Sequence, residues 1–449
     1  MLFVVVRSLD EVPDGCDGVE VRVDLLDRID FAKIDHFIMV CPVPVMLTLR
    51  SKKHGGAFTG NREAIIWKMA GLGPAFLDLE YDLDPAFISE IMDDFSHLKF
   101  VISCHVFKKI GMEGVDELYR QMAIYPACTY KIAIQLDSAN EALAHLLFAR
   151  TLPKISLICM GERGAFARVL GAVNGNVINY AALGEGGKTD PGQITLSDFV
   201  AIYRYKNLSG ATQVYGLIGN PTKNSLGHIY HNRRFSEEGK DAVYVKMDLE
   251  IGEMETFLLL ANRFGFKGVS VTMPLKEVVA SFLGERGSVN TLLFTGSRVV
   301  GANTDGIAAL DAIEEKMPVE GKRLAILGTG GAAKGIAQEA AFRGADLLIF
   351  GRDGEKARKL AAQFGGHGGN FSEMEAPFDI LVNALPAGIV PEGVTIPFPV
   401  LVMDVNYNPK ETHLLKAALI RGCSVICGDR MFELQAEAQR ALWFSLPFG

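Results

Sequence analysis

Lys131 lies inside the apolar run Tyr130-Lys-Ile-Ala-Ile-Gln-Leu136, where an ammonium ion is costly to bury. Burial favours the neutral amine, which is the nucleophile that forms a Schiff base with a ketone. Two readings stand for Lys131: an edge-strand lysine snorkelling its charge to water, or a reactive amine. His105, closing another apolar run, adds a group able to move a proton near neutral pH, although a histidine packed in a core has the same signature. A different chemistry is written downstream. The turn Gly328-Thr-Gly-Gly-Ala-Ala333 closes the apolar segment Arg323–Leu327 and opens a helical pattern, which presents backbone N–H groups to a dinucleotide pyrophosphate.

These groups need elements to hold them. Apolar segments recur at 2–6, 19–26, 45–50, 76–82, 100–105, 130–136, 155–160 and 177–183, separated by helical patterns such as 63–70 and 141–149. Eight such units predict an α/β fold, a (β/α)8 barrel over residues 1–208 with some helices clipped, against the alternative of a smaller open α/β sheet. In Val19-Glu-Val-Arg-Val-Asp24 the valines share one face and the three charges the other, which aims the charges at a barrel mouth. Arg50, Asp78, Glu80, Ser103 and His105 follow the same logic.

The small, polar stretch Lys206-Asn-Leu-Ser-Gly-Ala-Thr-Gln213 reads as a domain junction. A first lobe at 213–315 follows, with strands at 214–218, 243–248, 269–273 and 292–295 and a two-residue hairpin turn at Gly296-Ser297. A doubly wound lobe at 320–430 has strands near Leu324, Leu347, Ile380, Leu401 and Val425. The strand Asp346–Phe350 runs into Gly351-Arg352-Asp353. Arg352 suits the 2′-phosphate of NADP, whereas Asp353 would take the ribose of NAD if the strand ended slightly later; NADP is the expectation.

A formal net charge of -8 argues against nucleic-acid and acidic-membrane partners and leaves small-molecule substrates. The seven cysteines have neither zinc-site nor disulfide-framework spacing, so no metal and a cytoplasmic setting are expected. No apolar run approaches membrane-spanning length.

The motifs Glu20-Val-Arg22, Thr48-Leu-Arg50, Asp78-Leu-Glu80, Ile102-Ser-Cys-His105, Lys131-Ile-Ala133 and Pro191-Gly-Gln193 resemble type I 3-dehydroquinate dehydratases over most of residues 1–208. By that resemblance Lys131 forms an imine with the C3 ketone of 3-dehydroquinate, and His105 removes the C2 proton and later protonates the departing C1 hydroxyl. Glu20, Arg22 and Arg50 hold ring hydroxyls, Arg168 holds the carboxylate, and Thr189 and Gln193 close a loop over the site.

The remainder resembles shikimate dehydrogenases, through Gly219-Asn-Pro221, Val271-Thr-Met-Pro-Leu-Lys276, Val289-Asn-Thr291, Asn303-Thr-Asp-Gly306, Gly328-Thr-Gly-Gly-Ala332, Asn383-Ala384 and Gly428-Asp-Arg-Met-Phe-Glu-Leu-Gln435. The resemblance implies a catalytic pair, Lys276 and Asp305, and shikimate binding by Ser225, Thr272, Asn290, Tyr407 and Gln435. It implies cofactor binding by Gly328, Thr329, Gly330, Gly331, Ala332, Arg352 and Gly428, with a last helix at 431–449 completing the substrate lobe.

Four positions depart from the two families' patterns. His54 stands where a carboxylate usually follows Arg50, Val106 replaces the acid after the histidine, and Asn224 and Gly227 replace a histidine and a serine around Ser225. Together the resemblances imply a bifunctional enzyme that dehydrates 3-dehydroquinate and reduces the product with NADPH to shikimate. Two alternatives remain: a nucleotide-responsive binding protein without chemistry, and a Schiff-base aldolase-like barrel fused to a quinate dehydrogenase.

Overall fold

The computed structural model describes residues 1–449 except 11, 286, 375–376, 386–400 and 446–449. Two compact units divide the chain: Met1–Tyr215 with His228–Leu249 and Thr256–Gly265, and Gly216–Gly227 with Glu250–Glu255 and Phe266–Gly449.

All eight anticipated N-terminal strands form: β1 Leu2–Val6, β2 Gly18–Arg22, β3 Val45–Thr48, β4 Phe76–Glu80, β5 Lys99–Val106, β6 Thr129–Gln135, β7 Ile155–Met160 and β8 Asn179–Ala182. They pair in the order β7-β6-β5-β4-β3-β2-β1-β8, and β1 is parallel to both β2 and β8, giving a nearly closed parallel barrel. Helices follow β2 through β8, the last only Leu196–Ala201. Among the described residues no helix joins β1 to β2, so the short repeat is accommodated at that connection. The turns start cleanly because Asp30, Asn61, Asp84, Ser138 and Thr195 each accept a backbone N–H from the first turn of the helix they precede.

Period-2 alternation grades the barrel interior. Phe3, Met46, Phe76, Val101 and Ile178 share one apolar cluster. Two residues further along the same faces come Thr48, Asp78 and Ser103, and then Arg50, Glu80 and His105. The inward face thus changes from apolar to charged along the strands, towards their carboxyl ends. Gly18 is required where β2 meets β1, since a Cβ there would lie 2.5 Å from the Phe3 ring.

A second sheet contains β9 Gln213–Gly219, β10 Ala242–Asp248, β11 Phe266–Val271, β12 Thr291–Phe294 and β13 Val299–Ala302 in the order β10-β9-β11-β12-β13. β12 is antiparallel to β11 and β13. The turn between β12 and β13 is the anticipated two-residue one: Thr295 N donates to Arg298 O at 3.0 Å, and Gly296 adopts φ +81°.

The third sheet comprises β14 Arg323–Leu327, β15 Asp346–Gly351, β16 His367–Asn370, β17 Ile380–Asn383, β18 Leu401–Asp404 and β19 Ser424–Ile426. Its all-parallel order, β16-β15-β14-β17-β18-β19, is the doubly wound Rossmann arrangement. Alternate residues feed separate cores: Leu324 and Ile326 enter one, Ala325 and Leu327 the other. A sheet covered on both faces reads as continuous apolar runs, which is why those strands were recognisable. β16 escaped recognition because its sequence is His-Gly-Gly-Asn. No helix among the described residues is long and apolar enough to cross a membrane.

Candidate active sites

The barrel mouth encloses about 620 Å³ of space, its opening included, lined by Glu20, Arg22, Arg50, His105, Lys131, Arg168, Thr189 and Gln193, whereas Asp24, Asp78, Glu80 and Ser103, also expected at the mouth, do not line it. Register brings the two reactive groups together. Lys131 on β6 is level with Ser103 on β5, and His105 follows two residues later on the face that Ser103 occupies.

Lys131 is only 5% exposed. Its Nζ lies 3.3 Å from Glu20 Oε1 and 3.7 Å from the centroid of the Tyr180 ring. Burial pulls its pKa below the ordinary lysine value, Glu20 opposes that shift, and Arg50 reinforces it. The snorkelling reading is therefore overturned: the amine is buried within the cavity wall. His105 is likewise lowered, well below the usual histidine value, first by burial and then by the cations Arg50 and Lys131.

Arg50 is 1% exposed and donates to three side chains. Nη2 donates to Asp78 Oδ2 at 3.1 Å, and Nη1 donates to Ser103 Oγ at 2.7 Å and Glu80 Oε1 at 3.3 Å. Burial works against its charge, yet Asp78 and Glu80 hold its pKa above the ordinary value. Arg22 makes a double 2.8 Å contact with Asp24. Arg168 Nη2 donates to Asp190 Oδ2 at 2.6 Å, while Gly161 N and Gly192 N donate to the same carboxylate. Gln193 Oε1 accepts from both Thr189 N at 2.9 Å and Thr189 Oγ1 at 3.1 Å, so the 189–193 loop is folded upon itself at the cavity rim.

In the second half, Lys276 opens the helix Lys276–Phe282, and its Nζ lies 2.5 Å from Asp305 Oδ2. A cation at a helix N-terminus opposes the helix dipole, so it needs that carboxylate; Asp305, opening the helix Asp305–Glu314, is favoured by its own dipole. Asn290 Nδ2 donates to Asp305 Oδ1 at 2.8 Å, and Asp305 N donates to Asn303 Oδ1 at 2.8 Å. The sequence run Asn303–Gly306 is thus a scaffold for one buried carboxylate rather than a solvated turn.

Ser225 and Tyr407 are brought into hydrogen-bond contact; burial raises the Tyr407 pKa and Ser225 partly offsets it. Thr272 is partly buried at the end of β11, its N–H donating to Ile218 O at 2.8 Å. Gln435 is partly buried, and its carbonyl accepts from Thr304 Oγ1 at 3.4 Å. Its helix, Gly428–Ser445, also sends Gln439 to Ser270 Oγ and to Asn290 O, which ties the C-terminus to the first lobe. Residues 446–449 of that expected element lie outside the described residues.

The glycine-rich turn fits a dinucleotide pyrophosphate. Gly330 precedes the helix Gly331–Phe342 without a side-chain cap, and a Cβ on Gly330 would meet nothing within 4 Å. Gly328 has φ +117°, and a Cβ there would sit 3.1 Å from Ala384 O. A Cβ on Gly331 would lie 3.3 Å from the Lys276 stem, which sets the turn directly beside the Lys276–Asp305 pair. Arg352 is exposed just past β15, whereas Asp353 caps the helix Gly354–Ala362 by accepting Lys356 N at 3.1 Å. Gly428, grouped with the cofactor residues, is explained by packing: a Cβ would approach Asn406 O to 2.5 Å.

A family model described as type I 3-dehydroquinase matches residues 4–209, and one described as the shikimate dehydrogenase substrate binding domain matches residues 217–292. The Shikimate biosynthesis protein AroDE of Chlamydia pneumoniae is 34% identical over 441 residues, covering 95% of this chain and 90% of that protein. The chain belongs to the bifunctional 3-dehydroquinate dehydratase/shikimate dehydrogenase family. The chloroplastic bifunctional 3-dehydroquinate dehydratase/shikimate dehydrogenase of Arabidopsis thaliana is 30% identical over 477 residues, covering 96% of this chain and 78% of that protein. Shikimate dehydrogenase (NADP(+)) of Pyrococcus furiosus is 37% identical over 253 residues, covering 53% of this chain and 92% of that protein.

For a dehydratase/dehydrogenase of this family, sequence reasoning missed Asp190 and Tyr180, which both line the barrel cavity. Asp190 carries no periodic signal because it sits in a loop. Tyr180 could have been read from the alternation of β8, which puts it on the opposite face from Ala181.

Proposed function

We propose that this chain catalyses two consecutive steps of the shikimate pathway: dehydration of 3-dehydroquinate to 3-dehydroshikimate in residues 1–208, and NADPH-dependent reduction of that product to shikimate in residues 213–449. The observation that carries the reading is the convergence of a buried amine, a partly buried imidazole and the five charged side chains of Glu20, Arg22, Arg50, Arg168 and Asp190 on one cavity of the barrel.

Lys131, whose environment favours the free amine, attacks the C3 ketone, and loss of water leaves an iminium that accepts electrons from C2. His105, with its depressed pKa, is a free imidazole at neutral pH and takes the C2 proton. The same depression makes its imidazolium a ready donor to the departing C1 hydroxyl, so one side chain serves both proton transfers. Water then hydrolyses the imine and releases Lys131. Glu20, Arg22 and Arg50 face the ring hydroxyls, Arg168 takes the carboxylate, and the Thr189–Gln193 loop excludes water.

In the second half Gly328, Thr329, Gly330, Gly331 and Ala332 would hold the NADP pyrophosphate and Arg352 its 2′-phosphate. When bound, NADPH supplies the hydride. Lys276, held by Asp305, stabilises and protonates the alkoxide that forms on the substrate, while Asn290 keeps the Asp305 carboxylate in place. Ser225, Thr272, Tyr407 and Gln435 bind the remaining hydroxyls and the carboxylate.

The binding-protein alternative is disfavoured by Lys131 and His105, since a merely structural role gives no reason to set a buried amine and a partly buried imidazole with a depressed pKa at one cavity wall. The test supplies dehydroquinate with NADPH, and separately with NADH, to the purified chain while dehydroshikimate and shikimate are quantified. Both products should form, with NADPH preferred. Borohydride with dehydroquinate should label the chain at Lys131, and labelling that persists in Lys131→Met would overturn the assignment.

A further inference from the structure

His54 is 3% exposed in the barrel wall, at a position where the resemblance leads one to expect a carboxylate. Its backbone is fixed by the turn Lys52–His54, closed by Gly55 at φ +79°. The Nδ1 atom accepts the backbone N–H of His105 at 3.1 Å. That N–H has a specific need. β4 runs beside β5 as far as the Glu80–Ser103 pair, and Tyr81 N then closes on Ser103 O. The next N–H on that edge of β5, two residues on, belongs to His105 and has outrun its strand neighbour.

Accepting at Nδ1 leaves the ring proton on Nε2, which lies 3.3 Å from Asp82 Oδ1 as an electrostatic contact. Asp82 is itself held by Lys53 Nζ at 2.7 Å and Arg62 Nη1 at 3.2 Å. The His54 ring stands edge-on to both Tyr81 and His105, with centroids 5.9 and 6.3 Å away. Nδ1 is thus taken by the end of β5, while Nε2 faces Asp82 without a well-formed hydrogen bond, in a side chain that also lines the cavity beside His105. Although His54, Glu80 and Asp82 present ligand atoms within 4.8 Å of one another, Arg50, Arg62 and Lys53 already neutralise the two carboxylates, so the cluster is no cation site.

We propose that His54 is a positioning residue for the dehydration: oriented by Asp82, it supplies the missing backbone acceptor at His105 and so fixes the imidazole that moves the proton. This rests on the reading of His105 as the proton-transfer group. Two substitutions separate the roles of the ring atoms. Asparagine places its Oδ1 where Nδ1 was and abandons Asp82; glutamine reaches towards Nε2 and leaves the His105 N–H bare. In the full-length chain, His54→Asn should keep most of the dehydration kcat, whereas His54→Gln should lose roughly tenfold or more, because an orphaned buried N–H no longer holds the strand end. KM should change little, and borohydride trapping at Lys131 should persist in both. Equal kcat in the two variants, a larger loss in His54→Asn, or a loss confined to KM overturns the proposal. If the unsubstituted chain gives no trapping with dehydroquinate, it is the functional reading of the barrel that fails.

Discussion

Glu20→Gln tests whether burial and a single carboxylate set the reactivity of Lys131. Glu20 is 2% exposed, and its Oε1 lies 3.3 Å from Lys131 Nζ. At an effective dielectric constant of about 20, two unit charges at that separation attract by roughly 5 kcal/mol. Asp78 also supports the ammonium and would remain, so this attraction is an upper bound on the support that Lys131 loses. The sign is set by the charge lost: without Glu20 the ammonium is less stable, the pKa of Lys131 falls further, and the amine becomes free at lower pH. Imine formation requires the free amine. The rising limb of the trapping rate against pH should therefore move to lower pH in Glu20→Gln. Trapping by borohydride under single-turnover conditions is the assay of choice, since it reports Lys131 and is blind to proton removal by His105. The maximal rate can also fall, because Glu20 faces the substrate, but the displacement of the limb does not depend on that amplitude. A limb that stays in place, or moves to higher pH, would refute the account of Lys131 as an amine balanced between desolvation and Glu20.

Lys276→Met removes the proton donor beside Asp305 and should lower kcat for dehydroshikimate reduction about 10²- to 10⁴-fold, with imine trapping at Lys131 unchanged; steady-state kinetics and trapping on the same preparation check both. Arg352→Ser should raise KM for NADPH about 10- to 100-fold and leave KM for NADH nearly constant, as expected for one lost charge-assisted contact to a phosphate. In Gly306→Ala the new methyl would meet Gly335 O at 2.2 Å, where two helices touch through their backbones. Overpacking of about 1–3 kcal/mol should lower the unfolding temperature of the second half and slow shikimate oxidation, since Gly306 adjoins Asp305; calorimetry with an unchanged transition would contradict this.

Much of the fold was legible in the sequence. The eight barrel strands and five of the six Rossmann strands announced themselves as apolar runs. The exception, β16, is two glycines between a histidine and an asparagine and is a strand only because β15 offers it an edge. The expectation that some helices are clipped is met at the β1–β2 connection, which carries no helix among the described residues. At the barrel mouth, alternation singled out Arg50, Asp78, Glu80 and His105 before their contacts were known, since side chains two residues apart must share a face. The partners were another matter. Arg168 meets Asp190, which lies in a loop without periodicity, and His54 meets Asp82 and the backbone of His105 across three separate elements.

The sequence by itself therefore determined which residues face inward, where the glycine-rich turn must lie and which chemistries the chain carries, because these follow from backbone geometry over a few residues. Tertiary structure alone decided which charge neutralises which, that Lys131 is buried against Glu20 across 111 residues of chain, and that Gly331 abuts Lys276. Such pairings arise only when barrel closure and helix packing bring distant segments within hydrogen-bond reach, and local periodicity carries no record of that distance.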